Sequence, residues 1–136
     1  MNDRLEKHLI ELEEDITLRE INLKEKALKC PGIKLKWIRI YHSEKARLTK
    51  LKDAEDILVK AYIKTQTNKT VTTDQIPKHL KNEASSKDSR IKQIQKEITK
   101  QYAVIDGLKD IVTYIIAGFG YDISNSEKCL KMELDF

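Results

Sequence analysis

Six basic side chains, Lys45, Arg47, Lys50, Lys52, Lys60 and Lys64, lie in one stretch free of proline and glycine. A helix over that stretch displays them as a ladder of cations, and such a stripe is the electrostatic footprint of a polyanion partner, nucleic acid first. Single-strand binders add aromatic rings on which bases stack, each stack worth roughly 1–3 kcal/mol. Trp37 and Tyr62 on the same segment are the stacking candidates. Both readings have a plainer rival. Lysines also furnish ordinary solvated helix faces, and Trp37 stands in register with Tyr41, Leu48 and Leu51, which suits packing.

Covalent chemistry finds little to work with. The chain has no Walker loop, dinucleotide glycine motif, nucleophile elbow or metal-ligand spacing. His8, His42 and His79 are scattered over three segments, and paired acids such as Glu13-Glu14 are the usual charge of exposed helices. No enzyme activity, cofactor or metal is therefore expected. Cys30 and Cys129 stand too far apart for a zinc or redox motif and are expected as free thiols. Met1 to Lys7 lacks a signal-peptide layout, and the longest apolar stretch, Ile111 to Phe119, is about half the ~20 residues of a membrane span. A soluble cytoplasmic protein is expected.

The net charge of +4 conceals an uneven distribution. Residues 31–69 carry 10 Lys/Arg against 4 Asp/Glu, and residues 70–100 carry 7 against 4. Residues 1–30 carry 6 against 8, and residues 101–136 carry 3 against 6. A basic middle is flanked by acidic ends.

Positioning those cations falls to helices. With 35% charged residues, four glycines and two prolines in 136 residues, the composition is that of an all-α chain. The patterns predict one helical domain over 1–136, with N-terminal helices over 1–65, a polar connector over 66–84, and a heptad helix plus a short C-terminal helix over 85–136. Leu5, Leu9, Leu12 and Ile16 mark the first helix, and Thr17-x-x-Glu20 has the form of a capping box for the next. That helix is expected to stop at Cys30-Pro31-Gly32. A long Trp-led basic helix follows from about Ile33 to Thr65. The connector is poor in apolar groups and reads as mobile, with at most one weak turn near Ile76-Pro77.

The heptad helix carries the strictest pattern in the chain. Ile91, Ile98, Ile105, Val112 and Phe119 occupy one position, and Ile94, Leu108 and Ile115 a second, with Gln101 as its polar exception. A 3.5-residue repeat keeps an apolar seam facing a partner helix, either within the chain or in another copy. The helix is expected to end at Gly118-Phe119-Gly120, with Tyr121-Asp122-Ile123 extended. Ser124-x-x-Glu127 then opens a short helix whose Leu130 and Leu134 must dock on something, since about ten residues of helix do not hold alone. Together these residues form the expected oligomerisation surface, in a coiled-coil-like homo-oligomer.

The order of features resembles a known family. Lys36-Trp37-Ile38 is similar to a Lys-Trp-Leu signature, and Gly120-Tyr121-Asp122-Ile123 to a closing Gly-Phe-x-Ile. Val59-Lys60-Ala61-Tyr62-Ile63 stands where that family has Leu-Lys-Ala-Arg-Leu, a motif linked to single-stranded DNA. Lys60 and Ala61 match it outright, and Tyr62 replaces the arginine. The family is that of the UvsY recombination mediators of T-even-type phages and their marine relatives. The resemblance covers the whole length and implies a non-enzymatic protein in the cytoplasm of an infected bacterium. It implies hexamer- or heptamer-class rings that bind single-stranded DNA without sequence preference. It also implies two protein partners, a UvsX-like recombinase and the phage single-strand-binding protein, the first being loaded onto strands coated by the second. Two rival readings remain, a structural coiled-coil oligomer and a nucleoid-type binder of duplex DNA.

Overall fold

The computed structural model describes residues 2–19 and 21–135, with side chains as far as Lys131. Helix α1 spans Asp3–Ile16, α2 Leu23–Thr67, α3 Lys78–Lys87, α4 Ser89–Asp110 and α5 Ala117–Asp135. A 3-10 turn covers Thr73–Gln75, and a π-helical segment, Ile111–Ile116, joins α4 to α5. The described residues contain no strand, so the all-α expectation holds. None of their helices is long and apolar enough to cross a membrane. The chain packs as two compact units, one of residues 1–44 and 103–136, the other of residues 45–102.

Several expected breaks are absent. Pro31 lies inside α2, which runs unbroken for 45 residues. Proline deprives Ala27 of a helical hydrogen bond and costs about 3 kcal/mol in a helix interior. Leu23, Cys30, Ile33 and Trp37, spaced by seven, three and four, are all buried in the first core. Burying large apolar side chains contributes about 1.5–3 kcal/mol each, enough to offset the proline, which sits on the exposed side with Gly32. Thr17 does not cap α2 either. Its hydroxyl donates back to the Glu13 carbonyl and closes α1, while the Asn22 carboxamide closes the following turn by accepting from the Arg19 N–H at 2.8 Å. The predicted partner in that capping box, Glu20, lies outside the described residues.

The C-terminal breaks fail for the same reason. Gly118, Phe119, Gly120 and the Tyr121-Asp122-Ile123 segment are all helical, and so is Ser124 to Glu127. No glycine among the described residues takes a positive φ. Ile116, Phe119 and Ile123 continue a buried 3–4 stripe that a turn would have torn apart. Glycine serves close approach here instead. A Cβ on Gly107 would lie 2.7 Å from Leu5 Cδ1, and one on Gly120 would lie 3.2 Å from Lys34 Nζ.

The heptad seam is largely spent inside the chain. Ile91 is buried in the second unit, Ile105, Leu108 and Phe119 are buried in the first, and Gln101 is buried too. Ile94, Ile98 and Val112 are half-buried, and only Ile115 is exposed, at 41%. The repeat also breaks phase. Buried positions run Val104, Leu108, Ile111 and then Ile116, Phe119, Ile123, with a step of five across the π segment. One extra residue there is what turns Ile115 outward. Leu130 packs against the first core; the side chain of Leu134 lies outside the described residues.

The expected mobile connector is structured as well. Residues 66–84 contain the end of α2, the 3-10 turn and most of α3. Its few apolar residues explain this. Ala84 is buried with Val59, Ile63 and Ile91, and Val71, Ile76 and Leu80 pack against them.

The π segment yields a prediction. Deleting exposed Thr113 turns the step of five into a step of four and leaves Ile116, Phe119 and Ile123 in phase with Leu108 and Ile111. The deletion variant should unfold in urea with a free energy within about 1 kcal/mol of wild type. A loss of several kcal/mol, followed by circular dichroism, would show that the bulge itself is required.

Candidate nucleic-acid interface

Positive charge concentrates in the second unit. Residues 45–102 carry 14 Lys/Arg against 7 Asp/Glu, whereas the remainder carries 12 against 15. Within this unit α2 carries six of the cations against three acids, and residues 68–102 carry eight against four. At 100° per residue, Lys50 and Lys64 fall on one outward face with Ile57 midway between them, seven residues from each. Lys45 and Lys52 form a second row nearer the buried side, Arg47 lies on the opposite flank, and Lys60 lies between Lys64 and Lys45. All six predicted cations are therefore on one helix, but not on one line. Lys45, Arg47, Lys50, Lys52 and Lys64 are exposed, and Lys60 is half-buried.

Their surroundings differ. The Lys60 ammonium pairs with Asp56 at 2.7 Å, and Thr73 Oγ1 donates to the same carboxylate oxygen at 3.0 Å. The Lys60 hydrogen bond, helped by that of Thr73, holds the Asp56 carboxyl below the ordinary range. Lys52 lies over the ring of Tyr102, 4.9 Å from its centroid. Arg47, Lys50 and Lys64 make no ion pair among the described residues. Free, exposed cations release the most counterions on meeting phosphate. Lys50 and Lys64 thus carry the freer charge, and Lys60, central to the sequence motif, is partly engaged.

Neither stacking candidate keeps its ring free. Trp37 is wholly buried in the first unit, and its Nε1 donates to Asp15 Oδ2 at 2.9 Å. The packing alternative is the one the structure realises, because only a buried position covers the whole indole. Tyr62 packs against the second core. Burial and the neighbouring Glu83 carboxylate both push its phenol up.

The sequence reading passed over three features. Tyr102 is 43% exposed at the end of α4's share of this unit. Exposed Lys92 and Lys96 stand one turn apart on α4; the charge excess of residues 70–100 was their only signal. Ile57, 66% exposed between Lys50 and Lys64, left no signal beyond its place in the ladder. Among the described residues no group of His, Cys, Asp and Glu could hold a metal ion.

The fold defined by these elements is that of an all-α protein of long helices in two compact units. More particularly, it is UvsY-like. The crystal structure of the bacteriophage T4 recombination mediator protein UvsY matches it with a TM-score of 0.72, over 95% of this chain and 98% of that one. Sequence identity is 16%, so the likeness is one of fold. No protein-family model and no curated protein sequence matches the chain.

The contrast between free and paired lysines can be measured. Each phosphate contact on a single strand contributes roughly 0.7 to the log–log salt slope. Replacing Lys50 and Lys64 by Ala should flatten the slope by about 1.4 per bound subunit, and Lys60→Ala should change it less. An unchanged slope in the double variant would place the DNA elsewhere.

Proposed function

We propose that this protein is a recombination mediator. It binds single-stranded DNA through the cations of its second unit and promotes loading of a UvsX-like recombinase on strands coated by the phage single-strand-binding protein. The observation that supports this most is the gathering of positive charge on one unit of a UvsY-like fold. Such a surface holds a backbone without reading its sequence. Each copy contributes a few weak phosphate contacts, and an assembly multiplies them through avidity. Coat protein can then be exchanged for recombinase piecewise by competing binding energies, with no nucleotide hydrolysis by this chain.

Assembly needs apolar surface that the monomer leaves uncovered. Since most of the heptad seam is interior, we assign this role to other residues of the first unit. Ile21, Leu28 and Leu35 recur every seven residues, the last two on the outer face of α2, and all three are exposed. Tyr114, Ile115 and Tyr121 form an exposed group at the π segment and α5. Two different apolar faces on one subunit suit the head-to-tail contacts of a closed ring. Ring formation of the hexamer or heptamer class follows from this reading. Leu28→Glu should reduce the assembly in native mass spectrometry while leaving helicity intact. A wild-type monomer at micromolar concentration would remove the ring from the proposal.

Function is tested by strand exchange with the cognate recombinase on coated and on bare DNA. Stimulation should be much larger on coated strands and should fall in the Lys50→Ala, Lys64→Ala double variant. Equal stimulation on both substrates, or none, would leave a DNA-binding scaffold without mediator activity. Preference for duplex over single strands would favour the nucleoid-type alternative.

A further inference from the structure

A single-strand binder gains much of its hold from base stacking, yet on the basic helix Trp37 is buried and Tyr41 and Tyr62 pack against the cores. The second unit has one other ring in reach of its cations. Tyr102 lines a groove of about 450 Å³ together with Ile98 of α4, Lys52 of α2, Thr73 of the 3-10 turn and Lys81 of α3. The walls combine an aromatic face, an aliphatic side chain and two ammonium groups, the makings of a site for a flat ring attached to a phosphate.

We propose that Tyr102 is the stacking platform for an unpaired base of single-stranded DNA, with Lys52 as its phosphate partner. The inference rests on the single-strand-binding reading above and assigns that reading its base contact. Lys52 occupies the ring at 4.9 Å, a cation–π contact at an exposed site. Its four-carbon stem is flexible, so an arriving base takes the ring and the ammonium swings to the adjoining phosphate. One weak contact is exchanged for two stronger ones.

Carboxylates also line the groove, and their state matters for a polyanion. Asp56 is engaged by Lys60 at 2.7 Å and by Thr73 at 3.0 Å. Glu55 faces Lys81 at 3.4 Å. Asp53 is exposed at the same groove. With two of the three acids paired, the interior suits the uncharged base, and the sugar–phosphate chain stays at the rim beside Lys52. Stacking accepts any base because every base has a π-face, in keeping with binding that ignores sequence.

The test compares a dye-labelled thymidine oligonucleotide with an abasic one of equal length, using fluorescence anisotropy. Wild type should bind the base-bearing strand roughly fivefold or more tightly. Tyr102→Leu, which keeps an apolar side chain of helix-forming type, should lose that preference while its affinity for the abasic strand stays within about twofold of wild type. Tyr102→Phe should retain the preference. Equal losses on both strands, a preference that survives Tyr102→Leu, or a smaller assembly in native mass spectrometry of that variant overturns the assignment; the last would make the groove a contact between copies. A wild type that binds both strands equally also overturns it, whereas one that binds neither removes the single-strand reading beneath it.

Discussion

An indole with no surface in water still has one N–H to place, and much of the first unit follows from where Trp37 places it. The acceptor is Asp15, in the last turn of α1. The same carboxylate oxygen takes the Lys36 ammonium at 2.7 Å, and Glu11, one turn earlier, takes it at 2.8 Å. Burial works against the charged lysine, but these two hydrogen bonds outweigh it and hold the Lys36 pKa above its ordinary value. A helix of 14 residues is marginal alone in water. Tied through Asp15 and Glu11 to α2, it gains a fixed direction as well as an apolar face to lie on. A second tie runs from the Arg4 guanidinium to the buried Glu44 carboxylate, at 2.7 and 2.9 Å from Nε. Lone buried carboxylates are costly, so partnership is what permits Glu44 to be there.

Burying Trp37 divides the work along α2. Up to Glu44 the helix contributes core residues to the first unit; from Lys45 it contributes core residues and cations to the second. One long element therefore serves as both buttress and ladder, which asks for uninterrupted helix through Pro31. The balance of energies allows it. A proline on the exposed side removes one hydrogen bond, whereas a break would have dispersed Cys30, Ile33 and Trp37. The same arithmetic carries α5 through Gly118 and Gly120.

Electrostatics in the second unit is graded rather than uniform. Among the described residues Lys50 and Lys64 make no ion pair, Lys60 shares its charge with Asp56, and Lys52 rests on an aromatic ring. Exposed pairs of this kind contribute little to stability, about 0–1 kcal/mol. Their consequence is electrostatic, since each acid close to the ladder reduces the net positive charge of that face. Under the proposed function, such a surface would hold a strand loosely at any one copy and draw its strength from number.

Much of this was legible in the sequence, and the failures have one cause. Helical class followed from composition and apolar spacing, and the basic ladder from the run Lys45 to Lys64, because both are properties of a local segment. The motif residues Lys36-Trp37 and Lys60-Ala61 pointed to the fold that was found. Misread were the elements where a local preference competes with distant burial: Pro31, Gly118 and Gly120 as stops and residues 66–84 as a loop; for the heptad seam the sequence left a partner within the chain and one in another copy both open, and most of it is buried within the chain. A π segment has no local mark, and it shifts by one residue which side chains are covered, so Ile115 turned outward while Ile116 turned in. Of the two readings open for Trp37, packing is the one realised, and Tyr102 left exposed was not legible for the same reason. Spacing along a chain decides which side chains share a helix face. Only the tertiary structure decides whether another helix or water lies against that face, because burial is settled between segments far apart in sequence.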